Sequence, residues 1–270
     1  MASFKPYRVP SSGNFKLSKI FPGDTPFAKG SESKQRGELE ELAEALDKLQ
    51  NRLHAEGRRK LLLVLQGMDT SGKDGTIRWV FSRTSPLGVR VVSFKAPNEL
   101  ERTYDYLWRC HLAVPANGQL MVWNRSHYED VLVPVVEEYI DKKETHRRYR
   151  HINDFERLLT ETGTTIVKCM LHISKDEQRA RLQERVDTPG KQWKFARTDL
   201  DVREKWDAYQ RAYEKALAAT STEHAPWHVI PADSKEHRNL MIARLLIKSL
   251  DDMKLQLPPA DPAIKGLIVK

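Results

Sequence analysis

The sequence predicts an α/β fold, a parallel sheet flanked by helices, and two features carry that expectation. Short apolar runs alternate with longer stretches whose apolar residues recur at helical spacing, the pattern of strands joined by crossover helices. The first run, "KLLLVLQ", passes without a break into "GMDTSGKDGT" (67–76), where two glycines and a lysine carry the spacing of a phosphate-binding loop. A chain of 270 residues suits one such domain with a lid.

Residues 1–34 are rich in Pro, Gly, Ser and Lys without sustained periodicity, and read as an arm that lies on the surface or docks on a neighbour. From Gly37 to Glu56, Leu39, Leu42, Ala43, Leu46, Leu49 and Leu53 recur at helical spacing, and Gly57 follows as a stop. "KLLLVLQ" is apolar almost throughout, as a strand buried on both faces is, and "DGTIRWVFS" beyond the loop reads as a helix. Further strands are expected at "VRVVSF" (89–94), "QLMVW" (119–123), "TTIVKCML" (164–171) and "PWHVI" (226–230). The helices between them fall at "LERTYDYLWRCHL", "YRHINDFERLL" and "LMIARLLIKSL". The proline-interrupted tail "LPPADPAIKGLIVK" runs over the surface or onto a partner subunit.

The formal charge of +8 suits a polyanionic partner or simply a basic surface, and charge alone does not choose among nucleotide, nucleic acid, polyphosphate and membrane. Cys110 and Cys169 stand far apart with no metal-ligand spacing nearby, which argues against a disulfide framework or zinc site and for a reducing compartment. No apolar run reaches the roughly 20 residues of a membrane helix, and the first residues lack an apolar signal core. The expectation is a cytoplasmic protein, in which the sequon at Asn124–Ser126 carries no glycan.

Gly67 and Gly72 with Lys73 fit G-x-x-x-x-G-K between a buried strand and a helix, the context that motif requires. The backbone from Gly67 through Met68, Thr70 and Ser71 to Gly72, with Gly75 beyond, is expected to curl its N–H groups around phosphate oxygens, aided by the helix dipole. The Lys73 side chain is expected to leave the loop toward solvent and phosphate, without a share in the core. Asp74 stands where such loops carry a magnesium-ligating Ser or Thr. Two readings of Asp74 stay open: a favourable charge at a helix N-terminus, which is preferred, or a magnesium ligand. Asp69, inside the loop, is the other carboxylate.

The third strand ends in "NRSHYEDV", with Asn124 where a P-loop enzyme carries a carboxylate. Asparagine offers a carbonyl oxygen but no charge, so Asp69 and the acids Glu129 and Asp130 gain importance. Arg125 suits bidentate phosphate contacts or a structural ion pair. The stretch 185–209 interleaves Arg185, Lys191, Lys194, Arg197 and Arg203 with Trp193, Phe195 and Trp206, and reads as a mobile cationic lid that closes over phosphates, or as a solvated helix–loop–helix. The basic run "KKETHRRYRH" (142–151) either extends that track or is a solvated helix face.

Five blocks, "LVLQGMDTSGKDGTI", "DYLWRCHLAVPANGQLMVWNRSHYEDVLV", "FERLLTETGTTIVKCMLHISKDEQRARLQER", "GKQWKFARTDLDVREKWDAY" and "TSTEHAPWHVIPADSK", resemble the polyphosphate kinase 2 family in order, from about residue 35 to about residue 255. The resemblance implies a thymidylate-kinase-like P-loop fold, inorganic polyphosphate as donor, AMP or ADP as acceptor, and magnesium, with manganese as a substitute. It assigns the functional aspartate to Asp69, as metal holder, and leaves the position after the lysine unrestricted. "NRSHYEDV" resembles the subgroup that phosphorylates both AMP and ADP, and Asn124 departs from the version that has an aspartate there. The expected layout is an arm at 1–34, a kinase domain at 35–255 with its lid at 185–209, and a tail at 256–270.

On this reading Asp69, Lys73, Arg125 and Lys194 are catalytic. The loop with Asp74, Arg185, Lys191, Arg197 and Arg203 holds phosphates, and Asn124, Arg125, Glu129 and Asp130 hold the nucleotide. Transfer to a phosphate oxygen that is already ionised needs no general base, only positioning and charge neutralisation. Polyphosphate and AMP, ADP or ATP are the expected partners, without nucleic acid or membrane, in a homo-oligomer of two or four chains. An ATP-dependent nucleoside monophosphate kinase and a polyanion-binding module are the rival readings.

Overall fold

Residues 2–269 are described by a computed structural model, in which five strands form one wholly parallel sheet ordered β2-β3-β1-β4-β5. These are β1 (Lys60–Gln66), β2 (Val89–Ser93), β3 (Leu120–Asn124), β4 (Thr164–His172) and β5 (Trp227–Pro231). Central β1 buries Leu61, Leu62, Leu63, Val64 and Leu65, because it is covered on both faces and paired on both edges. The chain leaves β1 toward β2 on one side and later reaches β4 on the other. The loop after β1 therefore opens at a topological switch point, where parallel sheets place their ligands.

The helices are α1 (Glu32–Glu56), α2 (Lys73–Val80), the single turns α3 (Trp108–His111) and α4 (Val133–Val136), α5 (Lys142–Glu161), α6 (Lys175–Asp187), α7 (Thr198–Glu204), α8 (Trp206–Thr220) and α9 (Lys235–Asp252). α1 packs on α9, and α9 on β4 and β5; α5 packs on β4 and α8. α1 starts earlier than its leucine repeat because the Ser31 hydroxyl caps it, accepting from the Lys34 N–H. Strand β3 runs one residue further than its apolar run, so Asn124 lies on the strand and not past it.

Two expectations change. The segment before the first helix, expected on the surface or on a neighbour, packs into this chain's own core: Tyr7, Val9, Leu17, Ile20 and Phe27 are buried, and the Val9 N–H donates to the Trp227 carbonyl at 2.9 Å. Its apolar residues lack a period because an irregular strap fills one gap at a time. The stretch "LERTYDYLWRCHL" is not one helix but two separate turns with Tyr104 extended between them. Asn98 and Glu101 exchange side-chain-to-backbone bonds, and Asp105 accepts from the Leu107 N–H, so local polar groups outcompete the helix. The tail exposes Leu267, Ile268 and Val269. Among the described residues no helix is long and apolar enough to cross a membrane.

A buried polar cluster braces the segment after β3. Lys168 Nζ on β4 donates to Glu156 Oε2 (2.6 Å), the Tyr128 hydroxyl (2.8 Å) and the Thr220 carbonyl (2.7 Å), while the Tyr128 hydroxyl donates to Glu156 Oε1 (2.7 Å). Lys168 and Glu156 are almost fully buried, so each charge depends on the other. Lys168→Met is expected to destabilise the protein by about 3–5 kcal/mol by stranding a buried carboxylate, and Lys168→Met with Glu156→Leu to recover most of that. Urea titration of the parent, single and double variants measures both; a double variant no more stable than the single removes the interdependence.

Candidate active site

The loop between β1 and α2 is shaped by what its carbonyls meet. Lys73 Nζ donates to the carbonyls of Gly67 (2.7 Å) and Met68 (3.2 Å), Arg181 Nη1 to that of Thr70 (2.9 Å) and Arg238 Nη1 to that of Ser71 (3.3 Å). Among the described residues, the N–H groups of Asp69, Thr70 and Gly72 have no acceptor in the protein. With the uncapped first amides of α2 they form a donor-rich edge suited to an anion. Gly67 has φ 148°, and a Cβ there would lie 2.5 Å from the Leu171 carbonyl; Gly72 has φ 101°, and its Cβ would lie 1.9 Å from Arg238 Nη1. Both glycines are demanded by close packing as much as by the turn.

Lys73 differs from expectation. Its side chain is only 8% exposed and folds back onto the loop instead of projecting into solvent. Burial, then the nearby Arg125 charge, pulls its pKa down to about 8, against the raising influence of Asp69, Glu129 and Asp74. Met68 is likewise buried, so only its backbone serves the loop.

Asp69 accepts from Arg125 Nη2 at 2.7 Å, and Asp74 accepts from Asn124 Nδ2 at 2.7 Å. Thus Asp74, which the sequence assigns by preference to the helix dipole, also engages the end of β3. Arg125 is held in the left-handed region (φ 63°), with its N–H bonded to the Leu65 carbonyl. Burial raises the Glu129 pKa, opposed by Arg125 and Lys73. Its Oε1 takes the Gln66 amide at 3.0 Å once that amide is oriented to satisfy its neighbours. Tyr213 on α8 shares this environment of Arg125, Glu129 and Asp69.

A cavity of about 570 Å³ gathers Asp69, Asp74, Asn124 and Arg125 with Arg185, Lys191, Lys194 and Asp199. Eight lysine and arginine side chains line it against four carboxylates, which suits an anion of high charge. Of the expected residues it brings together Asp69, Thr70, Gly72, Lys73, Asp74, Gly75, Asn124, Arg125, Arg185, Lys191 and Lys194. In the lid, Lys191 pairs with Glu184, Lys194 Nζ lies 5.0 Å from the Trp193 ring centre, and Arg185 reaches the Lys194 carbonyl (3.0 Å) and Asp199 (3.6 Å).

Other expected residues lie elsewhere. Arg203 is turned away from the cavity to the Lys175 carbonyl (2.6 Å) and Gln178 (3.0 Å), where it fastens α7 to α6. Arg197 is exposed at the start of α7 and outside the cavity lining. Glu129 sits behind Arg125, not in the wall. Asp130 faces a different cleft, where it meets Arg109 (3.5 Å), because the turn after β3 points successive side chains apart. Lys95, Arg181 and Lys235 enter the cavity although sequence reasoning passed over them. Each sits just past a strand end or on a charged helix, where a lysine or arginine looks like ordinary surface.

The family model of polyphosphate kinase 2 matches residues 29–258. The chain belongs to the polyphosphate kinase 2 family. It is 49% identical over 266 residues to the AMP/ADP-polyphosphate phosphotransferase of Meiothermus ruber, covering 98% of this chain and 100% of that protein. To the ADP-polyphosphate phosphotransferase of Rhodopseudomonas palustris it is 40% identical, covering 96% of this chain and 93% of the relative. The crystal structure of polyphosphate kinase 2 from Arthrobacter aurescens TC1 superposes with a TM-score of 0.92 at 44% identity, over 97% of this chain and 94% of that one. The fold is therefore the P-loop kinase fold of this polyphosphate kinase 2 family.

Because the free Lys73 ammonium titrates near pH 8, affinity for a phosphate chain is expected to fall as pH rises through about 8. Tripolyphosphate titrated calorimetrically between pH 7 and 9 tests this against Lys73→Ala, which is expected to lose at least tenfold in affinity, about 1.4 kcal/mol. A variant that keeps the parent affinity and pH profile removes Lys73 from the site.

Proposed function

We propose that this protein transfers the terminal phosphoryl group of inorganic polyphosphate to AMP and ADP, reversibly and with Mg²⁺, in the cytoplasm. The single observation that carries the reading is a cation-lined cavity over a phosphate loop, in a chain aligned end to end with a relative named for AMP/ADP-polyphosphate phosphotransfer. The acceptor oxygen is already ionised near neutral pH, so no side chain has to remove a proton, and Glu129 and Asp130 need no role as bases. Lys73 and the loop amides hold the transferred phosphoryl oxygens. Arg125 bridges Asp69 and the phosphates, and Lys194, Lys191 and Arg185 neutralise the departing chain from the lid side. Exchange of one phosphoanhydride for another is what makes the transfer reversible. Asn124 and Arg125, at the end of β3, are the nucleotide contacts that share the cavity.

The donor set fits a hard divalent cation. Among the described residues no three acidic, His or Cys side chains form an enclosed metal cage. Asp69 and Asp74 both line the cavity, and their carboxylate oxygens suit a hard cation. These two carboxylates would hold Mg²⁺, or Mn²⁺ in its place, which when bound draws charge from the phosphate oxygens. Buried, unpaired Cys110 and Cys169 suit the reducing cytoplasm, and the exposed apolar tail suits contact between chains of a homo-oligomer.

Purified protein given polyphosphate and Mg²⁺ is expected to convert AMP to ADP and ADP to ATP, and to phosphorylate AMP poorly when ATP replaces polyphosphate. Chromatography of the nucleotides decides it; ATP as the better donor would mean a nucleoside monophosphate kinase, and salt-sensitive binding without product would mean a polyanion-binding module.

Asp69→Asn is expected to lower turnover on the order of a hundredfold, and Asp74→Asn about tenfold, each with a higher Mg²⁺ requirement. A magnesium titration of both variants measures it. An Asp74→Asn variant with the parent's Mg²⁺ dependence would return that residue to the helix-dipole role alone.

A further inference from the structure

Three aromatic residues, Trp193, Phe195 and Trp206, are interleaved with the cations of residues 185–209, and the structure gives them different surroundings. Trp206 is 7% exposed and joins the core at the start of α8. Phe195 is half-buried and stands outside the cavity lining. Trp193, on the turn Pro189–Lys194, is 79% exposed and lines the active-site cavity. Its indole N–H donates to the Gly190 carbonyl at 3.1 Å, which ties one edge of the ring to its own turn and leaves the ring faces to other contacts. Lys194 Nζ stands over the ring, 5.0 Å from its centre. The other aromatic residue of the lining is already committed: Phe94 is 7% exposed, packs edge-to-face on Trp123 (5.1 Å, 74°) and has the Arg109 guanidinium 5.5 Å from its centre. Among the described residues, Trp193 is therefore the one open aromatic surface in a cavity otherwise dominated by charge.

We propose that Trp193 is a specificity-determining residue of the transfer, the indole on which the base of the acceptor nucleotide stacks. The proposal rests on AMP or ADP as acceptor. A nucleotide has a charged end and a planar aromatic end. The cations of the lining serve the first, and an indole left open to water is stabilised when a base covers it. Lys194 links the two demands, since the ammonium that stands over the indole also lines the cavity among the other cations. Stacking holds a base by its π-face and not by its edge, so it tolerates every base and favours the larger ring system of a purine.

Acceptor kinetics separate this role from a contact with the donor. KM is measured for ADP, for CDP and for polyphosphate of one fixed length, each with its co-substrate saturating, in the parent, Trp193→Leu and Trp193→Phe. Trp193 is exposed on a short turn, so neither replacement disturbs the core. Trp193→Leu is expected to raise KM for ADP about tenfold and for CDP less than about threefold, with KM for polyphosphate changed less than about twofold, as loss of a stacking face dictates. Trp193→Phe, which keeps a ring, is expected to stay within about threefold of the parent KM for ADP. A Trp193→Leu variant with the parent's KM for ADP overturns the proposal, as does a rise confined to polyphosphate, which would place the indole on the donor. Equal losses with ADP and CDP overturn it by pointing to the ribose or the phosphates, which both acceptors share. A parent that phosphorylates neither ADP nor CDP overturns the acceptor assignment itself, a result distinct from an active parent matched by its Trp193→Leu variant.

Discussion

Fixation of the loop's carbonyls by side chains is the interaction on which the rest of this site depends. Gly67 and Met68 are held by Lys73, Asp69 is reached by Gln178 at 3.5 Å, Thr70 is held by Arg181 and Ser71 by Arg238. A peptide's N–H and C=O point in opposite directions, so turning five carbonyls toward side chains turns N–H groups toward the cavity. Three of those four side chains are cations. They orient the dipoles that will meet phosphate and also add their own field. Lys73 does both from inside the loop: its ammonium satisfies two carbonyls and lines the cavity. Burial of that ammonium opposes folding below pH 8, and the opposition is relieved as pH rises toward the unfolded lysine value near 10.4. The fold accepts this cost because a desolvated cation attracts phosphate more strongly than a hydrated one.

The second constraint is where negative charge is permitted. In a P-loop enzyme a hydroxyl follows the lysine and a carboxylate ends the third strand. Here Asp74 follows Lys73 and Asn124 ends β3, and the two are joined by a 2.7 Å hydrogen bond. The carboxylate has moved from one side of that contact to the other, so the pair keeps one negative charge. Asp69 adds a second, but Arg125 is already on it, and the cavity as a whole stays net positive, with eight cations against four carboxylates. Two extra acids in a phosphate loop are thus compatible with phosphate when each has a partner and a divalent cation can lie between them and the substrate.

The parts of this fold that were legible in the sequence are those where one physical demand dominates. β1 is a run of leucines because it is covered on all sides, and the Gly-Lys spacing is a loop because only glycine fits against Leu171 and Arg238. Asp69, Lys73 and Arg125 followed from those anchors and the family resemblance. Residues 100–112 misled because apolar spacing and local polar bonding disagreed, and Asn98 and Asp105 won. Arg181, Lys235 and Arg238 were illegible for another reason. Each is one arginine or lysine on a charged helix, and only tertiary packing brings three helix-borne cations behind a single turn of backbone. Arg203 is the opposite case, since an arginine that fastens α7 to α6 looks the same in sequence as one that faces the cavity.

Rigidity is divided between floor and roof. Thr70 (φ 65°) and Arg125 (φ 63°) each occupy a conformation that costs a non-glycine residue on the order of 1–3 kcal/mol, so the surroundings must hold them there. They are held by the Arg181 bond to Thr70, by the Leu65 carbonyl on the Arg125 N–H, and by the register that sets Leu65 beside Asn124. Behind them Ser126 caps the turn that leads into Tyr128, and Tyr128 is locked to Glu156 and Lys168. Across residues 185–209 the backing is lighter, with Arg203 fastening α7 to α6. Lys191 is joined to Glu184 and Lys205 to Glu137 through solvent-exposed pairs, which water and salt screen. A lysine in such a pair exchanges its carboxylate for a phosphate at little cost, whereas Lys73, Arg181 and Arg238 are fixed in advance. The loop and the end of β3 are therefore fixed in advance, whereas Lys191 is held to the cavity rim only by an exposed partner.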